Sequence, residues 1–196
     1  KKKEFYKKKK IIGLTKSQET IFALSIPVVE NKKILNSLIL IKSGKLIYST
    51  HKKELPNYGV FDELRYFNSK SSKKNYFKNK NKKIDFLICE DMWSEKYLMD
   101  RTYEKLDLII IINASPYEIG KFDIRKKLAS KRAKYCSANL IYLNLVGSQD
   151  DLIFDGGSFF MNQDGNIVLQ EKFFEESEVI LNLSKKIEKI ETKRVD

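Results

Sequence analysis

Ile84-Asp85-Phe86-Leu87-Ile88-Cys89-Glu90-Asp91-Met92-Trp93 is a short apolar run that stops on a cysteine, two acids and the chain's single tryptophan. Ile84, Phe86, Leu87 and Ile88, preceded by lysines and followed by acids, have the pattern of a strand covered on both faces. A cysteine just past such a strand stands where open α/β sheets place their chemistry. By itself the run favours a small packing cysteine over a nucleophile. The decision therefore rests on what surrounds it.

The chain has 196 residues, enough to bury a core as one domain or as a large piece of one, and 42% of them are hydrophobic. No run approaches the ~20 apolar residues that a membrane span requires. Its two cysteines, Cys89 and Cys136, fall in segments of different expected type, and no hydrophobic stretch near the amino terminus suggests a secretory signal. The expected compartment is the cytoplasm, with both thiols reduced. The net charge of +12 suggests nucleic acid, but the lysines cluster in polar, asparagine-rich stretches, arginine is scarce, and no ribonucleoprotein motif or zinc-ligand spacing appears. Weak, salt-sensitive binding to polyanions is what such a charge supports.

Outward from the cysteine strand, the pattern is α/β. Residues 1–18 are basic with apolar residues at helical spacing. Residues 20–29 read as a strand up to Pro27, residues 34–41 as a second, and Ser43-Gly44 turns the chain into a third over 45–50. His51 to Phe67 combines Pro, Asn and Gly with Tyr58, Phe61, Tyr66 and Phe67, so this loop is expected to pack onto something or line a pocket. Residues 68–83 form a lysine-rich excursion. After the cysteine strand, Ser94 suits the cap of a helix reaching about residue 105, and residues 106–113 read as a buried strand. Residues 120–138 have helical periodicity, with Ile124, Leu128 and Tyr135 expected on the core face and Lys and Arg opposite. A strand at 140–145, a hairpin of 159–161 with 167–170 around Asn162-Gln163-Asp164-Gly165, and a last strand within 178–183 complete the reading.

Four stretches then stand in one order: His51-Lys52-Lys53-Glu54-Leu55-Pro56-Asn57-Tyr58-Gly59-Val60-Phe61-Asp62-Glu63; Ile88-Cys89-Glu90-Asp91-Met92-Trp93; Asn113-Ala114-Ser115-Pro116; and Asn144 through Gly156. Together they make the chain resemble the nitrilase superfamily of carbon-nitrogen hydrolases, and within it the glutaminase domains of glutamine-dependent NAD synthetases, over roughly residues 21–170. The resemblance implies a four-layer α-β-β-α sandwich, here truncated at its N-terminus, with residues 1–183 as the amidase domain and 184–196 as a charged tail or the start of a linker. It implies Cys89 as nucleophile, Lys52 as the family's lysine and Glu63 as the glutamate beside that lysine. It implies Tyr58, Phe61, Glu90 and Ser115 at the glutamine pocket. The family's general-base glutamate sits on a Pro-Glu motif followed by Gly-Tyr; nothing here matches it, and Glu4 lacks both flanks. The synthetase's Ser-Gly-Gly-x-Asp-Ser loop has no match either, and Ser148 stands where the family usually has glycine.

The function expected from the resemblance is release of ammonia from glutamine through a cysteine thioester, for amidation of nicotinic acid adenine dinucleotide to NAD. The amidase domain needs no cofactor or metal, whereas ATP and magnesium belong to the synthetase half. Its partners would be glutamine, a synthetase domain and further copies of itself, with no specific nucleic acid and no membrane. The 196 residues alone are expected to turn glutamine over poorly. Two alternatives stay open: a catalytically silent remnant of the family, and a basic nucleic-acid-binding module.

The residues themselves also have plainer readings. Lys52 is one lysine among many and would ordinarily be solvated. His51, the only histidine, reads as a hydrogen-bonded loop residue, Cys136 as a packing residue, and Asp155-Gly156-Gly157 as a tight turn with a structural acid. Glu90 and Asp91 lack the further ligands that a metal site would need.

Overall fold

The computed structural model describes residues 10–70, 76–95, 105–183 and 189–190. The chain divides into two compact units, Lys1–Phe77 and Lys78–Asp196.

The first unit holds three antiparallel strands, β1 (Phe22–Glu30), β2 (Lys33–Lys42) and β3 (Lys45–His51), in the order β1-β2-β3. Both connections are tight. Asn31 and Lys32 take φ of 47° and 66°, the mirror-image turn that suits the twist of paired strands. Ser43 and Gly44 take 47° and 71°. The central strand carries the core, because Leu38, Ile39, Leu40 and Ile41 are all buried although they alternate between its two faces. Val28, Ile39 and Ile41 form one cluster, against which Ile11, Ile12, Leu24 and Ile26 pack. The strand read as stopping at Pro27 in fact continues to Glu30. Proline lacks an N–H to donate, but β1 is an edge strand of this sheet, where one missing donor is tolerated.

The second unit is built on β4 (Phe77–Asn79), β5 (Lys82–Ile88), β6 (Leu108–Asn113) and β7 (Asn139–Asn144), joined by the antiparallel pair β10 (Phe159–Met161) and β11 (Ile167–Gln170). Their order is β11-β10-β7-β6-β5-β4. Strands β5, β6 and β7 run parallel, with Ile88 paired to Ile112 and Asn113 to Asn144, so their carboxyl ends lie level. Cys89, Ser115 and Leu145 thus leave the sheet along one edge. Between β7 and β10 a separate hairpin forms from β8 (Val146–Gln149) and β9 (Leu152–Asp155). The sequence reading missed it because Gly147, Ser148 and Gln149 have no strand-like alternation.

The helix Lys121–Cys136 corrects an expectation. Ile124 and Tyr135 are exposed and Leu128 only half-buried, while Arg125, Ala129, Arg132 and Ala133 form the buried face. The two alanines let the helix lie close to its neighbours, and the arginines find acceptors there, so burial follows hydrogen bonding rather than hydropathy. The expected strand within 178–183 is reduced to β12 (Ile180–Leu181), paired with β13 (Lys189–Ile190). The helix expected after Ser94, most of the charged tail, residues 1–9 with Glu4, and residues 71–75 of the lysine-rich excursion lie outside the described residues. Among those described, no helix is long and apolar enough to cross a membrane.

Candidate active site

Strand β5 ends at Ile88, and the next residue, Cys89, takes a positive φ of 46°. Cysteine carries a Cβ, so this left-handed conformation costs roughly 1 kcal/mol and persists only where the surroundings impose it. They do so through a single 3₁₀ turn, Cys89–Met92. The Asp91 carboxylate accepts the Ile88 backbone N–H at 3.3 Å, and the Trp93 N–H donates to the Glu90 carbonyl at 2.8 Å. Asp91 and Met92 are buried and anchor the turn, whereas Cys89 and Glu90 are half-buried, which leaves the thiol approachable. Cys89 forms no disulfide.

The segment after β6 is fixed by a buried polar network. Arg125 is fully buried and its Nη1 donates to both Asp155 carboxylate oxygens, at 2.8 and 2.9 Å. Its Nη2 donates to the Ser115 carbonyl at 3.0 Å, to Ser115 Oγ at 3.1 Å and to the Pro116 carbonyl at 2.9 Å. Asn144 joins from the end of β7, accepting the Ser115 N–H at 2.9 Å and donating to Asp155 at 3.1 Å. Ser115 is therefore held by Arg125 and Asn144, both in turn braced by Asp155, three residues that sequence reasoning left out of the site. Asp155, read as the structural acid of a tight turn, is the buried counter-ion of this network. Gly157, two residues on, takes φ of 63°, and an added Cβ there would come within 2.3 Å of the Phe173 ring.

Tyr142 lies buried beneath the site, its ring stacked on Phe159 with centroids 4.9 Å apart. Burial pushes its phenol well above the ordinary range, opposed by the Arg125 charge and reinforced by that of Cys89. A cavity of about 370 Å³ in the same unit is lined by Asn144, Gly156, Ser158 and several glutamates including Glu171. Neither Cys89 nor Ser115 lines it.

In the first unit, Lys52 follows the end of β3. Its backbone N–H donates to the Asn36 carbonyl at 2.8 Å, and its side chain is almost wholly buried, 2% exposed. Its Nζ meets Glu63 Oε1 at 2.5 Å. A buried ammonium needs such a partner, because desolvation of an unpaired charge costs several kcal/mol. Glu63 opens a short 3₁₀ turn, Glu63–Arg65, and its N–H bonds the Pro56 carbonyl, so the loop folds back to deliver its carboxylate. Tyr58 and Phe61 meet edge to face with centroids 5.8 Å apart. Of the two expectations for the aromatic loop, packing onto the fold does not hold for Tyr58 and Tyr66, which are exposed, whereas Phe61 and Phe67 are half-buried. The reason is the turn at residues 63–65, which draws the carboxylate inward and leaves the flanking aromatics outside.

His51 is a buried strand-end residue, not a loop residue, with Nδ1 at 2.8 Å from Ser37 Oγ. Burial lowers its pKa below the ordinary 6.5, against a smaller upward pull from Glu30, with Lys70 adding to the decrease. The unfolded chain therefore takes up this proton first. As pH falls, stability drops from about 6.5 down to the folded-state pKa and levels off below it. Urea midpoints measured between about pH 8 and 5 should show this slope, and His51→Gln should remove it.

Among the described residues no group of three or more His, Cys, Asp or Glu side chains is placed to hold a metal ion. The residues singled out from sequence thus form two sets: Lys52, Glu63, Tyr58 and Phe61 in the first unit, and Cys89, Glu90 and Ser115 in the second.

The carbon-nitrogen hydrolase family profile matches residues 6–190. The glutamine-dependent NAD(+) synthetase of Synechocystis is 43% identical over 162 residues, 77% of this chain and 29% of that protein. The enzyme of the same name from Acinetobacter baylyi is 41% identical over 141 residues, 72% of this chain and 26% of that protein. The chain thus spans under a third of the length of these relatives. Among solved structures, glutamine-dependent NAD+ synthetase from Acinetobacter baumannii superposes with a TM-score of 0.82 at 37% identity, covering 88% of this chain and 33% of that one. A carbon-nitrogen hydrolase from Helicobacter pylori superposes with a TM-score of 0.78 at 18% identity, covering 89% of this chain and 66% of that one, a likeness of fold. The nitrilase-like fold expected from the motifs is the fold these superpositions give.

Proposed function

Because the chain belongs to the carbon-nitrogen hydrolase family, we propose that it hydrolyses the side-chain amide of glutamine through a thioester on Cys89, as the glutaminase part of an NAD synthetase. The observation that carries the reading is Cys89 itself, held at positive φ just past the carboxyl end of the interior parallel strand β5, half-buried in a turn that Asp91 and Met92 anchor. The names of the relatives supply the substrate.

In the proposed reaction the Cys89 sulfur attacks the amide carbon, the C–N bond breaks, and the amide nitrogen leaves as ammonia carrying the thiol proton. Water then cleaves the thioester, giving glutamate and the free thiol. The thiolate is the reactive form, favoured by a nearby cation. The matched motif assigns that cation to Lys52, with Glu63 as the carboxylate that orients it. Backbone N–H groups of the Cys89 turn supply oxyanion donors, each worth ~3 kcal/mol of barrier. Ser115, Glu90, Tyr58 and Phe61 are assigned to glutamine binding by the same motifs. The ammonia would pass to an ATP- and magnesium-dependent synthetase domain acting on adenylated nicotinic acid adenine dinucleotide, in a cytoplasmic, self-associating enzyme.

None of the 196 residues matches the family's base glutamate, so the test follows acylation of Cys89 rather than turnover. With 6-diazo-5-oxonorleucine, a glutamine-like electrophile, intact mass should show one adduct on Cys89. Glutamine should protect against it better than asparagine, and Lys52→Ala should slow it by at least about tenfold. Labelling that glutamine does not slow, or that falls elsewhere, would exclude a glutamine site at Cys89.

A further inference from the structure

A helix that only covers a sheet buries leucine or isoleucine, but the buried face of Lys121–Cys136 presents two arginines, seven residues apart. Burying a guanidinium carries a heavy desolvation cost unless its donors are used. Arg132 is 1% exposed and its Nε donates to the Met92 carbonyl at 2.7 Å and its Nη2 to the Ser94 carbonyl at 3.0 Å. These carbonyls flank Trp93, directly after the turn that holds Cys89 at positive φ. Two turns earlier on the same face, Arg125 donates to Ser115 and Pro116. One helix therefore grips the segments that follow β5 and β6, at four backbone carbonyls and at the Ser115 hydroxyl.

We infer that the helix Lys121–Cys136 sets the separation of the Cys89 turn and the Ser115 segment, with Arg132 as the positioning residue for the nucleophile turn and Arg125 for Ser115. The inference rests on the proposed amidase reading for its catalytic consequence, but not for its structural one. A lysine at position 132 keeps the charge yet has a single nitrogen, so it cannot bond both carbonyls in the forked geometry. The turn is then free to rotate its N–H donors away from a tetrahedral oxyanion, while the thiol stays as accessible as before.

The experiment compares the full chain with Arg132→Lys and Arg132→Gln, using the exposed Lys127→Ala as control. Cys89 is labelled in parallel with iodoacetamide, which needs no oxyanion stabilisation, and with 6-diazo-5-oxonorleucine. The single tryptophan, Trp93, reports on the turn through its emission and anisotropy decay. The expected result is a loss of at least about tenfold in diazo-ketone labelling for both Arg132 variants. Iodoacetamide rates should stay within about twofold, and Trp93 should show faster local motion at temperatures where the variants remain folded.

Unchanged Trp93 dynamics in a folded Arg132→Lys would overturn the positioning role. So would a parallel loss of both labelling rates in proportion to the unfolded fraction. If wild type reacts with iodoacetamide but never with the diazo ketone, the glutaminase reading fails instead, and the Trp93 comparison still decides whether Arg132 fixes the turn.

Discussion

Cys89→Ala abolishes labelling by 6-diazo-5-oxonorleucine, lowering adduct formation by at least about a thousandfold, as the proposed amidase reading requires of the residue whose sulfur carries the acyl group. Cys89→Ser gives nearly the same loss, since a serine hydroxyl is far less ionised at neutral pH than a thiol. Neither change should unfold the chain. Alanine keeps the Cβ already accommodated at positive φ, and the half-buried thiol contributes little packing. The measurement is the rate of adduct formation by intact mass alongside thermal melting. Labelling retained above one-tenth of the wild-type rate, in a variant that melts cooperatively, would move the nucleophile elsewhere. The only other cysteine is Cys136, in the last turn of the helix.

Asp155→Ala has the largest effect expected on stability. It leaves Arg125, fully buried, with its charge uncompensated. Breaking a buried pair from one side costs about 3–5 kcal/mol, much of it the desolvation of the abandoned charge. In a domain of this size that corresponds to a fall in Tm of roughly 6–20 °C. Asp155→Asn should cost less, since an amide oxygen still accepts from the guanidinium. Replacing both partners, Arg125→Met with Asp155→Leu, should recover part of the stability but not the placement of Ser115. Urea unfolding of the three variants beside wild type separates these cases, and a loss under about 1 kcal/mol in Asp155→Ala would show that the carboxylate is not the counter-ion the geometry makes it.

Much of the fold was legible because apolar periodicity and turn chemistry agreed. The cysteine strand, β2 and β3 around Ser43-Gly44, and β10 and β11 around Asn162 to Gly165 were readable from short runs and their turn residues alone. The motif around Lys52 pointed to a residue that composition would have left on the surface, and the structure buries it against Glu63. What stayed hidden was the polar interior. Arg125 lies 30 positions from Asp155 and Arg132 lies 40 from Met92, and no local pattern links such partners. A helix wheel gives arginines to solvent by default. The one available signal was the spacing of Arg125, Ala129, Arg132 and Ala133, a stripe whose small residues mark a face of close approach. Pro27 was misjudged because a strand's edge position is set by the whole sheet and not by its own residues, and β8 was missed because its residues carry no strand-like alternation, although its partner β9 lies only two residues further on.

The backbone at Cys89 bears on how such a protein can decay. A glycine there would adopt φ of 46° without the roughly 1 kcal/mol that a Cβ costs. The nearest escape from that strain is thus a substitution that removes the sulfur and, on the proposed amidase reading, leaves a better-folded, inert chain. Quality control acting on unfolded protein would never detect the loss. Retention of the thiol therefore depends on demand for its chemistry alone, and an inactive descendant could accumulate as a stable, abundant protein.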